Sequence, residues 1–125
     1  MWQVAQGSAP LFCALVALRR TEGGGPGNEF GVLSIPSVDT YPEELATAAR
    51  SFRNHVTRAR AAGVPVYTPD GGDFTEGFLR SFSARWCPVG AENDPRGLNA
   101  AHAGNLVALY QQAARQLAQL VTTVA

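Results

Sequence analysis

A chain of 125 residues with 46% hydrophobic and 16% charged side chains has the length for one core and too much apolar content to stay unfolded. Ten basic and ten acidic residues cancel, and no block of like charge marks a binder of duplex nucleic acid or of anionic membrane. All ten basic residues are Arg, which reads as coding bias rather than function, and two cysteines (Cys13 and Cys87) make neither a zinc set nor a CxxC redox pair.

The first ten residues, MWQVAQGSAP, lack the basic stretch of a secretory signal, and the apolar run after them is too short to span a membrane. A soluble chain with no membrane span is expected. Residues 9–21 should form the first helix, with Leu11, Phe12, Leu15, Val16 and Leu18 on an apolar face, started by Ser8 or Pro10 and stopped by Gly23. Cys13 falls inside that face and reads as a buried thiol. Whether it bonds to Cys87 is not fixed by the sequence. Residues 23–29 read as a Gly/Pro loop, and FGVLSI (30–35) as a short extended segment ended by Pro36.

The second helix should run over 41–62. Thr40 and Glu43 form a capping box, Pro42 sits harmlessly in the first turn, and Gly63 closes the end. Leu45, Ala48, Ala49, Phe52, Val56 and Ala59 face inward, leaving Arg50, Arg53, Arg58 and Arg60 in solvent. VPVYTP reads as extended and DGGD as a turn. Asp73 and Glu76 suggest a second capping box opening a helix over 74–86, with Phe74, Phe78, Phe82 and Trp86 as an aromatic stripe. After a loop, CPVGAENDPRGLN, the last helix should start at 99 or 104 and end at 123, burying Leu106, Leu109, Ala113, Leu117, Leu120 and Val124. The pattern is one mostly helical domain, α with minimal strand, over residues 1–125.

Several chemistries find no support. GGGPGN lacks the GKS or GKT ending of a phosphate loop and follows a helix rather than a strand. His55 and His102 stand far apart without an HExxH, so no metal is expected. No Ser sits in a G-x-S-x-G setting, and no cofactor is implied. Glu22 is different. It ends an apolar helix, where the C-terminal partial charge and apolar neighbours both disfavour the ionised carboxyl. A carboxyl kept protonated is what a general acid needs to protonate a leaving oxygen, and the glycines after it let a sugar ring approach; the residues alone fit a surface Glu before a C-cap glycine as well.

Residues 22–34, EGGGPGNEFGVLS, preceded by an apolar helix, resemble the start of the lysozyme-like superfamily of peptidoglycan hydrolases. The likeness is to small phage-encoded muralytic domains, and at greater distance to lytic transglycosylases and glucosaminidases. It implies a lysozyme-like helical domain with a substrate groove, and Glu22 at the catalytic position. Gly31–Ser34 is similar to the transglycosylase G-L-M-Q segment, which implies that Ser34 helps place the substrate. RWCPVGAENDPRGLN resembles the R-W-A-P-x-x-x-N-D-P loop of phage lysins and puts Arg85, Trp86, Asn93, Asp94 and Asn99 near the sugar groove. AAHAGN resembles the transglycosylase A-Y-N-A-G motif, with His102 in place of its aromatic and asparagine pair.

The resemblance implies cleavage of the β-1,4 bond between N-acetylmuramic acid and N-acetylglucosamine. The partners would be peptidoglycan glycan strands and phage virion proteins. It places the chain at the bacterial cell wall as a phage-encoded or virion-associated protein. Tyr41, Tyr67, Trp86 and Tyr110 could stack on sugar faces, and each equally suits the core. Glycoside hydrolysis usually needs a second carboxylate, for which Glu29, Asp39, Asp70 and Asp73 are open candidates. Glu29 lies seven residues past Glu22 across a tight loop and could also bind substrate. Without a second acid, the sugar's own 6-hydroxyl or its N-acetyl group would take that role, and muramidase and transglycosylase outcomes stay open. A wall-binding or baseplate module that does not cleave is the alternative. A partner-binding helical protein, suggested by the amphipathic QQAARQLAQL, is a third.

Overall fold

The protein is described from a computed structural model that covers residues 1–22, 41–90, 94 and 96–124. Its regular elements are helical: α1 (Ala9–Glu22), α2 (Tyr41–Ala61), α3 (Glu76–Trp86), a 3-10 turn over Leu98–Ala101, and α4 (His102–Val124). Among the described residues, strand pairing reduces to one antiparallel bridge between Tyr67 and Phe74. No helix among them is long and apolar enough to cross a membrane.

α1 carries Leu11, Cys13, Ala14, Leu15, Ala17 and Leu18 into the core. Ala14 and Ala17 are fully buried, and these small side chains let α4, the main partner of α1, pack closely. The two helices run antiparallel. Glu22 meets His102 at one end, and Cys13 lies close enough to Tyr110 at the other to affect its ionisation. α1 has 14 residues and α4 has 23. Paired from Glu22 and His102, the shorter helix gives out near Arg115. This corrects one expected core residue, because Leu120 lies beyond α1 and is 60% exposed.

α2 follows the expected pattern. Leu45, Ala48, Ala49, Phe52 and Ala59 are buried, and Arg50, Arg53, Arg58 and Arg60 are exposed. Gly63 adopts φ +76°, and the bonds from Val64 N to Ala59 O and from Gly63 N to Arg60 O close the helix end as a Schellman motif. Phe52 stacks on Phe82 with centroids 3.7 Å apart, which joins α2 to α3. The stripe continues through Phe74–Phe78 and Phe82–Trp86, at 4.5 and 5.6 Å.

The second capping box is corrected. α3 starts at Glu76, and its cap is Thr75, whose hydroxyl accepts from Phe78 N at 3.0 Å and donates to Pro65 O at 2.6 Å. Asp73 is instead engaged by Tyr110, whose Oη donates to Asp73 Oδ1 at 3.0 Å and accepts from Phe74 N. A tertiary partner has captured the carboxylate, so Phe74 stays outside the helix. Thr75→Ala should lower unfolding stability by about 1–2 kcal/mol, read from a urea unfolding curve. The last helix is also divided: Asp94 accepts from Leu98 N and Asn99 N, capping the 3-10 turn, and α4 proper opens at His102.

Candidate functional site

α1 ends on Glu22, and two other helices supply its partners. Trp86, the last residue of α3, donates from Nε1 to Glu22 Oε1 at 3.2 Å. His102, the first residue of α4, places Nε2 2.6 Å from the same oxygen. Behind it, His102 Nδ1 lies 2.6 Å from the hydroxyl of Ser83 on α3. The His102 side chain is 7% exposed and that of Glu22 16%, while Ser83 is buried. The chain Ser83–His102–Glu22 therefore runs from the core outward and joins three helices through four polar atoms.

This setting differs from the apolar one expected for Glu22. With Glu22 ionised and His102 neutral, Nε2–H donates to Oε1 and Nδ1 accepts from Ser83. The imidazole is then hydrogen-bonded on both sides, to α1 and to α3. Ser83, with the deepest position of the three, is a support and not a nucleophile.

Of the expected site residues, the structure gathers Glu22, Trp86 and His102 in direct contact. Arg85 neighbours Trp86 and lines a cleft between α2 and α3. Asn99 is used within its own loop: Oδ1 accepts from Cys87 Sγ at 2.9 Å, and Nδ2 donates to Pro88 O at 2.8 Å. Tyr67 is 37% exposed and stacks on Phe74, with the Arg60 guanidinium over its ring. Tyr110 is corrected as a sugar platform. It is 3% exposed in the core and held by Asp73, leaving no free face. Glu29, Ser34, Asn93 and Asp39 lie outside the described residues, as does the glycine loop.

Asp73 is too distant to act opposite Glu22. It bonds to Tyr110, eight residues along α4 from His102, or about 12 Å of helix. It also lies close enough to Cys13 to raise that thiol's pKa, nine residues or about 14 Å along α1 from Glu22. Asp70 belongs to the same turn, exposed and bonded to Thr68 Oγ1 and Gly72 N. Both cysteines are free thiols. Burial pushes Cys13 and Cys87 up to about 11, so neither offers a reactive thiolate.

Sequence reasoning missed Ser83 and His55. Each is a polar residue within an apolar helical face: Ser83 one turn beyond Leu79, His55 beside Phe52 and Ala59. His55 is buried, bonded through Nε2 to Ser81 Oγ at 2.8 Å, and set between the rings of Phe78 and Phe82. Burial first and the Arg85 charge second hold its imidazole below its ordinary value of 6.5. The unfolded chain then takes up this proton at a higher pH than the folded one. The contribution of His55 to stability is complete above about pH 6.5 and declines as pH falls toward the folded value. An NMR titration of the His55 ring should give a midpoint below 6.5, and a midpoint at or above it would contradict this packing.

Comparison with protein-family models, curated proteins and solved structures finds no significant match to this chain.

Proposed function

We propose that this protein cleaves peptidoglycan glycan strands between N-acetylmuramic acid and N-acetylglucosamine, on a lysozyme-like fold, with Glu22 as general acid. One observation carries the reading: the carboxylate that ends α1 is clamped by Trp86 Nε1 and His102 Nε2 on a single oxygen. A catalytic acid has to be held in one place, and here three helices hold it. Oε1 takes both contacts, which leaves Oε2 to carry the proton toward the substrate. Glu22 passes its proton to the glycosidic oxygen as the C–O bond breaks. It then takes a proton from the attacking hydroxyl, either water or the sugar's own 6-hydroxyl. His102 holds Oε1 in place through both steps. The protein acts on the bacterial wall as a phage-encoded or virion-associated factor.

Purified protein incubated with sacculi tests the reading by mass spectrometry. Reducing-end muropeptides would mark a muramidase and 1,6-anhydro muropeptides a transglycosylase. Intact glycan with retained binding would replace cleavage by a second reading, a wall-binding module. The burial of the Ser83–His102–Glu22 chain suits that alternative equally, because a purely structural clamp between helices would look the same.

A further inference from the structure

We propose that the trough between α2 and α3 binds a small ligand carrying a carboxylate or phosphate group, gripped by Arg58 and Arg85 above His55. Two adjoining cavities, of about 350 and 750 Å³, open along this seam, and His55, Arg58 and Arg85 line both. Ser51, Asn54 and Arg58 repeat at helical spacing along α2, so their polar ends share one wall of the smaller cavity. Arg85 comes from α3 opposite. Each guanidinium carries the donor fork that suits a carboxylate or phosphate oxygen pair, and the two line the same cavities from facing helices. Among the described residues neither is ion-paired with a carboxylate.

His55 gives the second, independent sign. Among the described residues its Nδ1 is buried without a partner. Buried polar atoms are nearly always satisfied, and this orphan belongs to a side chain that lines both cavities. The imidazole is held toward its neutral form by burial and by Arg85. It therefore adds no third positive charge, and it offers Nδ1–H whenever Ser81 donates to Nε2. Trp86, half-buried and backed by the buried Phe82, forms the remaining wall of the smaller cavity, a surface suited to a sugar ring. Trp86 also touches Glu22, so the trough adjoins the acid. An acidic sugar would satisfy both halves, with its ring against Trp86 and its anionic group on the arginines.

NMR titrations of the full chain test this with three probes: N-acetylmuramic acid, neutral N-acetylglucosamine and inorganic phosphate, followed at the His55 ring and the Trp86 indole N–H. Both anions should move the His55 signals, and the neutral sugar should bind at least about tenfold more weakly. Arg58→Gln and Arg85→Gln, both at exposed positions, should each weaken anion binding about tenfold with the fold unchanged. Tighter binding of the sugar acid would identify a saccharide carboxylate as the ligand group, and tighter phosphate binding a phosphate. Equal binding of the neutral sugar, silent His55 signals, or arginine variants that bind like the native chain would each overturn the site. Binding is read without turnover, so the outcome does not depend on whether the chain cleaves glycan.

Discussion

Glu22→Gln should abolish muropeptide release, lowering the rate by about 10²–10⁴-fold, while leaving the fold in place. The two halves of this prediction have different causes. The amide cannot donate a proton to a leaving oxygen, so the chemical step loses its acid. The amide oxygen can still accept from Trp86 Nε1 and from His102 Nε2, so the clamp across the helices persists. What changes is a charge-assisted bond becoming a neutral one, a loss of about 1 kcal/mol. Muropeptide release by mass spectrometry and a thermal melt by circular dichroism, made on the same preparations, separate the two effects. Native activity in the variant would remove Glu22 from the chemistry. A native chain that never cleaves, and a variant that only melts earlier, would leave the carboxylate as a structural clamp.

The ends of α1 and α2 were readable because local rules decide them. An apolar 3.6-residue period stops at Glu22 where glycines begin, and Gly63 gives α2 the left-handed residue its closure requires. The start of α3 was misread for a reason of equal generality. Asp73 and Thr75 are both good caps, and Tyr110, 37 residues away from Asp73, decides between them by taking the carboxylate. The site divides in the same way. Glu22 and Trp86 stand out in sequence, one as an acid at a helix end and the other as an aromatic at the end of a stripe. Their contact spans 64 positions and that of Glu22 with His102 spans 80, distances over which no periodicity speaks. The signal that was available is subtler: His55, Ser83 and His102 are polar residues on faces otherwise committed to the core. Such residues are retained where a partner satisfies them, so each marks a tertiary hydrogen bond whose other end sequence cannot name.

His102→Ala should destabilise the chain by about 3–5 kcal/mol, the largest stability loss expected from a change at the site. Removing the imidazole strands Ser83 Oγ in the core, withdraws one of the two donors from Glu22, and leaves a ring-sized void at the α1–α3–α4 junction. The loss should not add to that of Glu22→Gln, because one change removes and the other weakens the same 2.6 Å contact. A double-mutant cycle on unfolding free energy would report that coupling. Stability alone does not reveal whether His102 also handles the proton, and His102→Gln is the better probe for that. Glutamine keeps a donor for Glu22 but cannot take up a proton. If His102 shares the catalytic proton, this variant should lower kcat per folded molecule and alter the pH–rate profile that reports the Glu22–His102 pair. An unchanged profile with native kcat would confine His102 to packing and positioning. The proton would then reach Glu22 directly from solvent, and the three-helix junction would serve only to aim the carboxylate.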